Sequence, residues 1–240
     1  MSSVSVIVTA YLERSKPYLD FCVESIRNLR EPPHETLIVA PRAYNPQYDG
    51  MRTISPPQDA YWNARALNFG AQHATGDYLL MVNDDVVFTR DSVAELVNAS
   101  RALDDRAIVM PISNDTNLNL YALATGVRPG PAKLAEWVSM KDALMATQSP
   151  YPMGFIFART LCLFAVLIPR AIFDQVGLFD DSRKGHDDVD YTLRNQQAGY
   201  LNAVALNSII YHFGGVSADL TMSERDRKES LQSFNEKWGV

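Results

Sequence analysis

The sequence is poor in several things, and each scarcity narrows the reading. Of 240 residues only 2 are cysteine, Cys22 and Cys162. That is too few for a disulfide framework and fits a reducing compartment. Cys22 falls in a helical pattern and Cys162 in an apolar run, and both read as small core residues. The longest apolar run, Leu161 to Ile168, falls far short of the roughly 20 residues that span a bilayer. Met1 to Ser5 leads straight into an apolar, β-branched run with no signal-peptide pattern, so no membrane span and a cytoplasmic location are expected. Basic residues are outnumbered, 22 Lys and Arg against 28 Asp and Glu, for a net charge of −6. This argues against a general nucleic-acid or anionic-membrane surface. Any bound phosphate must then be met locally by Arg, Lys, a metal or a helix N-terminus. There is no internal repeat and no low-complexity segment.

What is present is an ordinary core-forming composition, 47% hydrophobic and 21% charged. The chain is organised around Tyr78 to Phe88. Five apolar residues, Tyr78 to Val82, follow Gly76 and stop at Asn83-Asp84-Asp85. This pattern predicts a buried strand with two carboxylates at its end. Such carboxylates call for a partner, either a divalent cation or an Arg or Lys, unless the cluster is a solvated turn.

Around it, Val4 to Ala10, Thr36 to Ala40, Met51 to Ile54 and Ala107 to Met110 read as strands, the last stopped by Pro111. Helical spacing covers Tyr18 to Leu29, Asp59 to His73 with Gly70 tolerated inside, and Asp91 to Leu103. Ser15 reads as a helix cap and Tyr11 to Pro17 as a loop. This strand–helix alternation predicts an α/β fold: a Rossmann-like, mostly parallel central sheet with helices on both faces.

The second half is less regular. It offers one helix at Ala132 to Ala146, a long strand at Arg159 to Ile168, and a short helix at Pro169 to Val176. A helix at Asp188 to Ala198 and two short strands, Leu201 to Ala205 and Ser208 to Tyr211, follow. The tail, Ser223 to Trp238, reads as a charged helix with Leu231, Phe234 and Trp238 on its apolar face.

Three clusters can carry chemistry: Asn83-Asp84-Asp85, Gly185-His-Asp-Asp-Val-Asp190, and Tyr211-His-Phe-Gly-Gly215. Oxygen ligands with one imidazole suit Mg2+ or Mn2+. The acidic run at 187–190 is either simple helix-end stabilisation or the source of a general base. Asp190 and Arg194 stand i,i+4 apart and can pair. His212 is a metal ligand or a structural histidine, and His186 is at most a supporting residue. Arg65 and Asn68 can reach a phosphate or base. Tyr11, Tyr61 and Trp62 can stack on a nucleobase or belong to the core. Asn98-Ala-Ser100 and Asn114-Asp-Thr116 match the glycosylation pattern by chance.

Taken in order, these pieces resemble family 2 glycosyltransferases over roughly residues 4 to 216. The likeness rests on Val4 to Tyr11, on Asn68-Phe-Gly-Ala-Gln-His-Ala-Thr-Gly-Asp77 running into Asn83-Asp84-Asp85, and on Phe173 to Asp180. It continues through Gly185 to Gly199 and Tyr211 to Gly215. The resemblance implies a GT-A fold with a small second sheet. It implies a single domain over 1–222, split into a nucleotide-binding half (1–115) and an acceptor half (116–222). The helix at 223–240 would pack on that domain.

The resemblance also implies roles. Asn83-Asp84-Asp85 stands where the family carries its DxD-type site. Asp85 would bind the metal and Asp84 a ribose or metal-bound water. His212 would be the later metal ligand. Asp188 would be the base that deprotonates the acceptor, with Asp187 orienting it. Thr9, Ala10, Tyr11, Glu13, Arg65, Asn68 and Asn83 would line the nucleotide-sugar pocket. The expected activity is inverting, metal-dependent transfer, with Mn2+ or Mg2+, from a nucleotide-sugar donor. The acceptor is a glycan, a protein or a small molecule. The segment from Leu118 to Pro152, with Trp137, would shape its site. A non-catalytic sugar-nucleotide module and a nucleotidyltransferase are the alternatives. The second strand departs from the family by ending in Val39-Ala40-Pro41-Arg42, without the acid that reads the base. Nucleobase, sugar and oligomeric state are left open.

Overall fold

A computed structural model describes residues 2–57, 62–114, 154–182, 184–214 and 223–239. Asp59, Tyr61, the 132–146 helix, Trp137, the rest of the 118–152 segment and Gly215 lie outside the described residues.

The strands are β1 (Val4–Thr9), β2 (Glu35–Val39), β3 (Arg52–Ile54), β4 (Tyr78–Asn83), β5 (Val86–Phe88), β6 (Ala107–Ile112), β7 (Phe155–Phe157), β8 (Ala165–Pro169) and β9 (Leu201–His212). They form one nine-stranded sheet in the order β3-β2-β1-β4-β8-β6-β9-β5, with β7 added on β9. The helices are α1 (Lys16–Arg27), α2 (Asn63–His73), α3 (Ser92–Ala102), α4 (Arg170–Val176), α5 (Asp187–Gln197) and α6 (Glu224–Trp238).

The first half obeys the parallel expectation. β1 pairs in parallel with β2 and β4, and β2 with β3. Every residue of β1, β6 and β8 is buried. Alternate side chains leave a strand on opposite faces, so burial of all of them means that both faces are covered. In the second half β8 runs antiparallel between β4 and β6, which makes the sheet mixed.

β9 answers the expectation of a small second sheet and corrects that of two short strands. It is one continuous strand bent at an irregularity: Pro111 of β6 faces Ala205, but Ile112 faces Ile209. Beyond the Ile112–Ile209 pair β9 leaves β6 and pairs antiparallel with β5. Pro111 therefore does not end β6. It sits at the bulge, where a missing N–H costs no ladder bond.

Other expectations give way to side-chain facts. Ser15 caps nothing; its hydroxyl turns inward to Asp84. The run from Arg159 to Ile168 is a strand only from Ala165, because Leu161, Leu163 and Phe164 reach the core from irregular chain. A continuous apolar run does not distinguish the two. Cys22 is buried as expected, whereas Cys162 is exposed. On α6 the inward stripe is Ser230, Phe234 and Trp238, and Leu231 faces solvent at 48% exposure. Among the described residues no helix is long and apolar enough to cross a membrane.

Candidate active site

The chain turns at Asp84 and Asp85, where β4 ends and β5 begins. Because β5 pairs antiparallel with β9, Val86 falls opposite His212. Asp85, one residue back, is thereby brought to His212: its Oδ1 lies 3.1 Å from His212 Nε2. Both are almost fully buried, Asp85 at 3% and His212 at 7% exposure. The imidazole stacks on Phe164 at 4.5 Å between ring centres. Its backbone is clamped by Asn114, whose Nδ2 donates to the His212 carbonyl at 2.9 Å and whose Oδ1 accepts the His212 N–H at 2.6 Å. One carboxylate oxygen and one imidazole nitrogen at a single point are a donor set that a hard divalent cation accepts. Among the described residues no third His, Cys, Asp or Glu completes a cation cluster. A bound cation would need further oxygens from a ligand or water.

Asp84 turns the other way. It is wholly buried, and its Oδ2 accepts from the Ser15 hydroxyl at 2.7 Å. This contact links the end of β4 to the start of α1. Burial first, then Asp84 and Asp85, pushes the nearby Cys22 thiol well up, so that thiol stays protonated.

A second line of contacts joins the sheet to the acidic helix. Thr9 pairs with Asn83 across the β1–β4 ladder. Thr9 Oγ1 donates to Asn63 Oδ1 at 3.2 Å, and Asn63 Nδ2 donates to Asp187 Oδ2 at 3.3 Å. The C-terminal edge of two parallel strands, where open α/β sheets bind ligands, is thus linked to the first turn of α5. Burial first, with the neighbouring Asp188 second, raises the Asp187 carboxyl to about 6. Asp188 is half-buried, and burial raises its carboxyl too. Its Oδ1 accepts the Val189 N–H at 2.7 Å. Asp190 is fully buried and pairs with Arg194 at 2.9 Å, as its spacing predicts.

The expected nucleotide-pocket residues divide. Thr9 and Asn83 stand at the strand ends, Tyr11 is half-buried beside them in sequence, and Glu13 is exposed on a single 3-10 turn. Ala10 is wholly buried and gives its N–H to the Val39 carbonyl. Arg65 stacks over Trp62 at 3.8 Å and pairs with Asp181 at 3.4 Å. Asn68 exchanges two bonds with the backbone of Phe179, donating at 2.9 Å and accepting at 2.8 Å. It is a clamp on that segment rather than a free pocket group.

Asn63, Asn114 and Ser15 were invisible as site residues in the sequence. Asn63 lies outside any motif, Ser15 read only as a helix cap, and Asn114 stood out only through a glycosylation pattern. At 4% exposure and bonded on both sides, that amide is no acceptor.

Comparisons with known proteins bear on the family and the fold. The family model described as glycosyl transferase family 2 matches residues 5–164. The uncharacterized glycosyltransferase YwdF of Bacillus subtilis (strain 168) is 23% identical over 256 residues, covering 99% of this chain and 84% of that protein. Among solved structures, GalNAc-T7 with UDP, GalNAc and Mn2+ superposes with a TM-score of 0.62 at 14% identity, over 88% of this chain and 44% of that one. The mannosyltransferase PcManGT from Pyrobaculum calidifontis, in complex with GDP-Man and Mn2+, gives 0.58 at 17% identity, over 88% of this chain and 56% of that one. The chain spans about half the length of these two solved proteins. The structural likeness is one of fold, the GT-A fold.

Proposed function

The chain belongs to glycosyl transferase family 2, and from that premise we propose that it performs a metal-dependent, inverting transfer with Asp188 as general base. The donor is a nucleotide sugar and the acceptor carries a hydroxyl. We further propose a single GT-A unit over 1–222: residues 1–115 serve the donor and 116–222 the acceptor, and the helix at 223–240 packs on that unit.

The observation that carries this reading is the Thr9–Asn63–Asp187 relay. It joins the strand edge suited to a nucleotide with the helix end suited to proton removal. Asp85 and His212 would hold Mn2+ or Mg2+, and the bound ion would offset charge developing on the leaving diphosphate. The solved relatives bound to UDP or GDP-Man with Mn2+ support that donor chemistry.

The acceptor hydroxyl forms a new bond to the anomeric carbon as the bond to the diphosphate oxygen breaks. The hydroxyl proton goes to Asp188, whose raised basicity suits the task. Asp187, steadied by Asn63, orients the acceptor. Fixing both substrates in one pocket supplies much of the remaining acceleration.

The test is product analysis with Mn2+, a panel of UDP- and GDP-sugars, and candidate acceptors. Acceptor-dependent release of nucleoside diphosphate, with inverted configuration in the product, is expected. Asp188→Asn should lower turnover by about 10²–10⁴-fold while donor binding stays intact. Release of pyrophosphate would identify a nucleotidyltransferase, and binding without turnover a non-catalytic module.

A further inference from the structure

The residue before the acidic helix, His186, has φ 55°, in the left-handed region. A side chain with a Cβ avoids that conformation unless its neighbours hold it there, and such residues gather at functional sites. Here the neighbour is the C-terminal helix α6. Ser230, 2% exposed, donates from Oγ to the Gly185 carbonyl at 2.9 Å and lies 2.8 Å from His186 Nδ1. Its one proton is committed to Gly185, so it accepts from His186, which fixes the tautomer with the proton on Nδ1. Phe234, one turn further, stacks on the same imidazole at 5.5 Å.

The grip resumes beyond the two acids. Asp190 receives Lys237 Nζ at 2.6 Å and Trp238 Nε1–H at 3.1 Å, both from the end of α6. Lys237 also reaches Asp180 at 2.9 Å. At the other end of the helix Asp226 pairs with Lys184 at 3.5 Å. Asp187 and Asp188 are therefore bracketed: α6 holds 184–186 before them and 190 after them. Thr9, Asp85 and His212, by contrast, sit on or beside strands of the central sheet.

We propose that α6 is a strap that aims the acceptor-side acids, with Ser230 and Trp238 as positioning residues acting through His186 and Asp190. The inference rests on the glycosyltransferase reading for its catalytic consequence, but the strap itself is a property of the turn at 185–190. Freed from α6, this turn relaxes from its left-handed conformation and Asp188 loses its aim, while the donor side is untouched.

The test uses the full-length chain as Ser230→Ala and Trp238→Phe, with Leu231→Ala on the exposed face of the same helix as control. Phenylalanine keeps one aromatic ring beside Phe234 and removes the N–H together with the second ring of the indole, so it carries the test should Ser230→Ala fail to fold. With acceptor saturating, kcat should fall about 10- to 100-fold, the scale of a small misplacement of a reacting group. Donor KM and the thermal shift given by UDP or GDP with Mn2+ should not change, and Leu231→Ala should match wild type. Amide hydrogen exchange should quicken at 185–190 in both positioning variants.

Wild-type kcat in both variants overturns the proposal. So does loss of donor binding in step with turnover, which would mark α6 as general scaffold. If no donor is turned over by the wild-type protein, the glycosyltransferase reading fails separately. Hydrogen exchange still decides the strap, since unchanged protection at 185–190 refutes it.

Discussion

His212 Nε2 meets Asp85 Oδ1 at 3.1 Å across 127 residues of sequence. The meeting follows from one register: β5 is only three residues long, and Val86 faces His212. A shift by one residue would turn the imidazole to the other face of the ladder. The pair is thus fixed before any ligand arrives, with Asn114 holding the backbone and Phe164 the ring.

His212→Ala should abolish the metal-dependent part of donor binding. At nucleotide concentrations about 100 times Kd, binding stabilises the native state by about 3 kcal/mol, and that increment should vanish from Mn2+-containing thermal scans with UDP or GDP. An undiminished Mn2+-dependent shift in the variant would remove His212 from the metal site.

Asn63→Ala should act on the acceptor side. Its amide is one of the contacts that lower the Asp187 carboxyl against burial. Removing it lets that carboxyl rise further, so the acid limb of the rate profile should move to higher pH and acceptor KM should increase. An unchanged pH profile with unchanged acceptor KM would show that the relay through Asn63 has no part in turnover.

Asp187 also makes a prediction about stability. Its native carboxyl titrates at about 6, against roughly 3.9 for a free aspartate. Between those values the folded state holds a proton that the unfolded state has released. This contribution to stability is full below pH 4 and is lost as pH rises to 6. The cost at neutral pH is about 3 kcal/mol. Asp187→Asn should therefore unfold at higher temperature than wild type at pH 7 and show no gain at pH 4. A variant no more stable than wild type at pH 7 would contradict it.

The parallel half of the sheet was legible because β1, β2 and β4 are buried on both faces along almost their whole length and so read as mostly apolar, β-branched runs. The clusters at 83–85, 187–190 and 212 were legible because carboxylates and imidazole crowd into short motifs. What escaped was set by tertiary geometry. Asp84 and Asp85 are adjacent, yet the turn after β4 sends one to Ser15 and the other to His212. No local pattern distinguishes them. The bend in β9 accompanies pairing with a segment far away in the sequence, Phe88 of β5 facing Ile210. Sequence periodicity on α6 favoured Leu231 as an inward residue. The structure buries Ser230 instead, because a hydroxyl is needed at Gly185 and His186.

Gly70 in α2 provides the last test. In an exposed helix interior, alanine would be favoured over glycine by about 1 kcal/mol. Here a Cβ would stand 2.3 Å from Ile7 Cγ2 and 3.0 Å from Val39 Cγ2. Both belong to fully buried strand residues whose β-branched side chains have little rotamer freedom. The clash should outweigh the propensity, so Gly70→Ala should destabilise by about 1–3 kcal/mol, read as a lowered Tm. Leucine branches one carbon further out and lacks the Cγ2 methyl. Adding Ile7→Leu should therefore recover part of the loss, and the double-mutant cycle should show coupling of that sign. A Gly70→Ala protein as stable as wild type would mean that α2 sits further from β1 than this contact requires.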